Sequence, residues 1–124
     1  MRDFRELKVW QKAHSFVLDL YRHTMGFPSE ERFGLTSHLR KSATSIPSNI
    51  AEGCGRRSEK EFSRFLCIAA GSASETEYQL LLAHELGYLT DDEYQHLSAL
   101  VTEVKRMLYS LIQRVSQSKA QADS

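Results

Sequence analysis

The chain has 124 residues, 41% of them hydrophobic and 26% charged, which suits one compact domain with a buried core and excludes an intrinsically disordered chain. Sixteen Lys and Arg balance sixteen Asp and Glu, so the formal net charge of zero excludes a uniformly basic nucleic-acid wrapper. Two Pro, six Gly and two Cys argue against a turn-rich β-sandwich and against a disulfide scaffold.

From Phe4 to Thr24 there is neither Gly nor Pro, and Trp10, His14, Val17, Tyr21 and Thr24 recur at helical spacing, with a second row, Val9, Ala13, Phe16 and Leu20, on an adjacent face. This predicts a first helix with more apolar surface than one partner would cover. Gly26, in a left-handed conformation, and Pro28 are expected to stop it. Ser29 is read as the cap of a second helix running to about Gly53, with the apolar row Leu35, Leu39, Ala43, Ile46 and Ile50 and a kink near Ala43, where Pro47 removes a hydrogen bond.

Ser58-Glu59-Lys60-Glu61 has the form of a capping box and predicts a third helix that keeps helical spacing from Phe62 to Ala83 and stops at Gly87. Its middle, Ala69 to Ser74, is all small, which predicts close approach of a neighbouring helix and offsets the roughly 1 kcal/mol propensity cost of Gly71. Thr90-Asp91-Asp92-Glu93 is a second capping box, and Tyr94, Leu97, Val101, Val104, Leu108, Leu111 and Val115 alternate by three and four through a fourth helix. The fold expected is all-α, an up-down-up-down four-helix bundle with a Pro-kinked second helix: one domain over 1–124, its core at about 4–115, its polar tail from Ser116 fraying. Phe16, Leu20, Phe65, Ile68, Leu82, Leu86, Leu100 and Met107 lie off the main seams and predict surface that self-association would cover.

No apolar run approaches the roughly 20 residues of a membrane span, and the opening residues lack the apolar stretch of a signal peptide, so a cytoplasmic protein without a membrane partner is expected. The charge neutrality is a cancellation: residues 38–64 carry a net +3, whereas residues 65–103 carry −7 and contain no Lys or Arg. Arg40, Lys41, Arg56, Arg57, Lys60 and Arg64 gather around the junction of the second and third helices as a candidate nucleic-acid or partner surface, with Arg57, Lys60 and Arg64 on one face. Glu75 and Glu77 are candidate acceptors for Arg40 or Arg57 across a subunit boundary.

Signals for chemistry are sparse. Glu93-Tyr94-Gln95-His96 is the single Glu-x-x-His match where a di-metal bundle needs two, and Glu93 already has a capping role. Cys54 and Cys67 have no close second thiol, and Cys67 reads as core. Neither a metal nor a cofactor is implied. Arg32 and His38 loosely resemble the Arg-x4–6-His signature of HEPN-type ribonucleases, which makes RNA cleavage the alternative to a non-enzymatic role; a purely protein-binding adaptor using the acidic third helix is a third reading.

The run Ser45-Ile46-Pro47-Ser48-Asn49-Ile50-Ala51-Glu52-Gly53 resembles the hallmark of the 23S rRNA-intervening-sequence proteins. In order along residues 4–115, so do Leu7-Lys8-Val9-Trp10-Gln11, Phe27-Pro28 with Glu31, Phe33-Gly34-Leu35, Ser58 to Phe65, Gly71 to Glu75, and Leu86-Gly87-Tyr88. His38 departs from that pattern, which has Gln there. The family also takes in the accessory variability determinant of diversity-generating retroelements, a ring-shaped homopentamer that binds nucleic acid and a reverse transcriptase. The resemblance therefore implies a pentameric ring and RNA, DNA or a nucleic-acid-processing protein such as a reverse transcriptase as partner. Asn49 and Glu52 stand one helical turn apart; Ser45, Asn49, Glu52, Gly53 and Glu75 are expected to serve helix packing or a partner surface, with Asn49 supplying a donor to carbonyls freed by Pro47.

Overall fold

A computed structural model describes the chain over residues 2–123 and its side chains over residues 2–117. Four helices, α1 (Lys8–Thr24), α2 (Leu35–Cys54), α3 (Glu59–Glu85) and α4 (Asp91–Asp123), follow one another with short connections, and no strand occurs among the described residues. Each helix packs on its chain neighbours and α4 closes against α1, while the backbones of the diagonal pairs stay farther apart, which is the antiparallel four-helix bundle.

The first helix starts later than the periodicity predicts. Phe4–Glu6 forms a single 3-10 turn capped by Asp3, whose carboxylate accepts the Arg5 amide at 3.0 Å, and extended Leu7 separates it from α1. Val9, Ala13, Phe16 and Leu20 form the buried face of α1 together with Val17 and Thr24 of the other row, whereas His14 and Tyr21 are exposed. Phe16, Leu20 and Phe65 are thus buried in the protomer rather than surplus surface; of the eight residues expected off the seams, Ile68 and Leu86 stand exposed. Two rows about 100° apart on one helix look alike in sequence, and packing buries the second throughout and the first only at Val17 and Thr24.

The connection from α1 to α2 also differs from expectation. Gly26 does not adopt a left-handed conformation, and Ser29 opens a 3-10 turn, Ser29–Glu31, rather than capping α2. The α2 helix begins at Leu35, whose amide donates to the Glu31 carboxylate at 3.3 Å, and continues through Pro47 to Cys54. Tyr88 donates its hydroxyl to the other Glu31 oxygen at 2.9 Å and packs on Phe27 with ring centroids 5.5 Å apart, so the two connections at this end of the bundle are joined.

Both predicted caps form, the one at α3 as a half box, since the Glu61 carboxylate turns to Arg64 instead of the Ser58 amide. The Glu61 amide donates to Ser58 Oγ at 3.1 Å, and at α4 the exchange is reciprocal: the Glu93 amide donates to Thr90 Oγ1 at 3.1 Å and the Thr90 amide to Glu93 Oε1 at 2.9 Å. Gly87, at φ 83°, ends α3 in a left-handed turn closed by the Tyr88 amide on the Ala83 carbonyl at 2.9 Å. The α4 helix extends past Ser116 to Asp123; side chains from residue 118 onward lie outside the described residues.

The core runs the length of the bundle, with Phe16, Phe62, Leu39, Ile46, Leu66, Leu97 and Leu108 fully buried. The α1–α4 seam is less tightly closed. His96 and Asp19 bridge it at 2.7 Å, and a groove of about 530 Å³ opens between Leu7 and Val9 on one side and Met107 and Leu111 on the other.

Candidate functional site

The interface of α2 and α3 is bonded as well as packed. Ser42 Oγ donates to Gln79 Oε1 at 2.6 Å and accepts from Thr76 Oγ1 at 2.9 Å, all three residues being buried; one turn further on, the Ser45 and Ser72 hydroxyls meet at 2.9 Å. Asn49 Nδ2 donates to the Ser45 carbonyl at 2.8 Å and to Ser45 Oγ at 2.9 Å. The acceptor is therefore one turn behind Asn49 on its own helix and not the Ala43 carbonyl that Pro47 leaves without its amide. Gly53 is buried against Phe62 and Phe65. Ser45 and Gly53 thus face α3, Asn49 bonds back within α2, and Glu52 is exposed and pairs with Arg56.

Above this ladder lies an open groove of about 390 Å³ whose walls include His38, Lys41, Ser45 and Glu75. Glu75 is exposed and accepts from Gln79 Nε2 at 3.3 Å. Glu77 is already engaged within the protomer: Lys105 Nζ lies 2.7 Å from its carboxylate, and that hydrogen bond holds the Lys105 ammonium above its ordinary pKa. The middle of α3 gives no close approach at Gly71, where no atom of a neighbouring helix stands within 4 Å of a Cβ position, and Cys67 is exposed rather than core.

The six basic residues do not form one cluster. Arg40 lies fourteen residues before the end of α2, about 21 Å along the axis at ~1.5 Å per residue, and belongs to the opposite end of the helix. At the α2–α3 junction, Arg56 pairs with Glu52, and Arg64 Nε lies 2.8 Å from Glu61. Both guanidinium groups also lie over the Phe65 ring, at 4.8 and 4.6 Å from its centroid. The Arg64 hydrogen bond holds the Glu61 carboxyl below its ordinary pKa. Arg57 and Lys60 are exposed with no carboxylate within 4 Å among the described residues, so the junction offers two free cations where the sequence counts four.

At the other end of α2, Arg40 is half-buried. Its Nε donates to Thr24 Oγ1 at 2.9 Å, one terminal nitrogen donates to the Tyr21 carbonyl at 3.3 Å, and the guanidinium carbon stands 4.5 Å from the Tyr21 ring centroid. Lys41 and Arg32 are exposed nearby, and among the described residues none of the three has a carboxylate within 4 Å. Arg32 and His38, the residues a ribonuclease reading needs together, line different grooves.

Glu93 is held below its ordinary pKa first by the Thr90 amide, and His96 is paired with Asp19, so the Glu-x-x-His residues have separate structural partners. Among the described residues no three His, Cys, Asp or Glu side chains converge as a metal site. Burial raises the Cys54 thiol pKa. No helix among the described residues is long and apolar enough to cross a membrane.

The bundle is similar to a crystal structure from Bacteroides thetaiotaomicron VPI-5482, described as a protein with unknown function from the S23 ribosomal protein family. The two share 29% sequence identity with a TM-score of 0.78 over 85% of this chain and 95% of that one. No curated protein matches the chain. The family model of the 23S rRNA-intervening sequence protein matches residues 5–110, a span that holds the Ser45–Gly53 run, both capping boxes and the Tyr88 contact; the chain belongs to the 23S rRNA-intervening sequence protein family.

Proposed function

We propose that this protein is a non-enzymatic homo-oligomeric scaffold, a pentameric ring, that offers cationic surface to RNA or DNA or to a nucleic-acid-processing protein such as a reverse transcriptase. The observation that carries the assembly is an outward stripe on α3. Cys67, Gly71, Ser74, Tyr78 and Leu81 recur at spacings of four and three on the face turned away from the core. Tyr78 is 61% exposed and Leu81 38%, and the bare backbone at Gly71 leaves room for a second helix. A seam of that period with a small residue at its centre suits another helix better than water. Ile68, beside it and also exposed, extends the same apolar face.

The nucleic-acid part of the reading rests on cations without carboxylate partners, Arg57 and Lys60 at one end of α2 and Arg40 and Lys41 at the other. Five copies in a ring would repeat each set five times, which converts a neutral chain into a multivalent cationic surface.

Native mass spectrometry tests the assembly. The wild-type chain is expected at five times its own mass, and Tyr78→Glu at one chain mass with an unchanged helical circular-dichroism spectrum. A wild-type chain that is monomeric at micromolar concentration, or a variant that assembles as the wild type does, refutes the reading.

A further inference from the structure

We propose that the groove between the C-terminal end of α1 and the first two turns of α2 binds a phosphate group. The groove, about 410 Å³ and open to solvent, is lined by Tyr21, Arg32, Thr36, Ser37, Arg40 and Lys41. Three of these six are cations and none is a carboxylate. The nearest acid upstream, Glu31, is occupied by the Tyr88 hydroxyl and the Leu35 amide.

Three further features suit an oxyanion. The Thr36 and Ser37 amides are first-turn donors of a 20-residue helix with no acceptor among the described residues, and the positive end of the α2 dipole stands behind them. Arg40 is held in place by Thr24, the Tyr21 carbonyl and the Tyr21 ring, with two of its donors used and the rest available, so little ordering remains to be done on binding. Thr36 is only 8% exposed, and its Oγ1 is the one buried side-chain polar atom without a hydrogen-bond partner among the described residues. A helical threonine has two accessible χ1 positions, and a phosphate oxygen in the groove would select the one that satisfies this hydroxyl.

A phosphate in this position comes from a nucleic-acid backbone if the scaffold reading holds, on which this source rests, and otherwise from a small phosphorylated anion. The test is made on the full chain, labelled with nitrogen-15. Inorganic phosphate is titrated against chloride at constant ionic strength, then a short single-stranded oligonucleotide without terminal phosphates. Phosphate is expected to move the Thr36 and Ser37 amide signals, the oligonucleotide to move the same two, and Thr36→Val to weaken both effects several-fold while leaving the remaining spectrum in place. Arg32→Gln and Lys41→Gln should each lower the log–log salt slope of oligonucleotide binding by about 0.7, the single-strand increment for one lost phosphate contact.

Thr36 and Ser37 signals unmoved by either ligand would overturn the groove. If the oligonucleotide then still bound through Arg57 and Lys60, lost in an Arg57→Gln, Lys60→Gln double variant, the scaffold reading would stand without it. Movement by phosphate alone, with no oligonucleotide binding, would support the groove as a small-anion site and overturn the nucleic-acid reading.

Discussion

Gly53 stands where α2 packs tightly against the start of α3. A Cβ there would meet Phe65 Cβ at 3.0 Å, Phe62 Cδ1 at 3.2 Å and the Phe62 carbonyl at 3.3 Å, and two of those three atoms cannot swing aside. Gly53→Ala gains helix propensity of about 1 kcal/mol but overpacks a buried contact, at a cost of about 1–3 kcal/mol. The variant is expected to lose about 1 kcal/mol net, read as a lower urea midpoint at unchanged slope; equal or higher stability would show that the helices separate freely here. At this scale the sequence was partly legible. Gly53 and Asn49 stood out because their run is unusual, whereas the Ser42–Thr76–Gln79 ladder joins residues far apart in sequence and has no local pattern. Arg56 and Arg64 counted as available charge because a charge tally does not show that Glu52 and Glu61 lie one turn away and take them up.

Helix ends show what local sequence can and cannot specify. Ser58, Thr90 and Gly87 were readable because each motif closes within about four residues and needs no tertiary partner. The starts of α1 and α2 were not: Leu7 is an apolar residue in an extended conformation, and Glu31 caps α2 in a connection that Tyr88, 57 residues away, helps to hold. Misplacing that start is what hid Thr36 and Ser37 as first-turn residues. The α4 cap also gives a pH dependence. Hydrogen bonding lowers the Glu93 pKa in the folded state, so its contribution is present above the ordinary glutamate pKa and is lost as pH falls through the lowered value. Thr90→Ala should cost about 1 kcal/mol at neutral pH. Glu93→Gln should cost less, and its gap from wild type should close below about pH 4 in acid titrations of thermal stability; a gap that persists to pH 2 would mean the carboxylate charge contributes nothing.

Across the whole molecule, the two thiols report on different surfaces. Cys54 is buried with a raised pKa, and Cys67 lies on the outward stripe of α3. In dilute chains an alkylating reagent should modify Cys67 quickly and Cys54 only on unfolding; if the proposed ring forms at higher concentration, Cys67 should there be protected at least tenfold. Equal Cys67 rates at low and high protein concentration would overturn the proposed contact on this stripe. Four helices and their order were legible at this scale because periodicity and short connections leave few arrangements. The division of the cations between two ends of α2 was not, since it depends on helix length in space rather than on adjacency in the chain. The order of packing has a kinetic side as well. Three of the four helix contacts join chain neighbours through short turns, while α1 meets α4 only after the chain between them has been laid down. That last seam bears the largest loop-closure entropy, is held by few polar bridges and already stands open along the Leu7–Leu111 groove. It is therefore the line along which the bundle would unzip, leaving the α2–α3 hairpin, with its buried hydroxyl and amide bonds, as the last part of the native structure to dissolve.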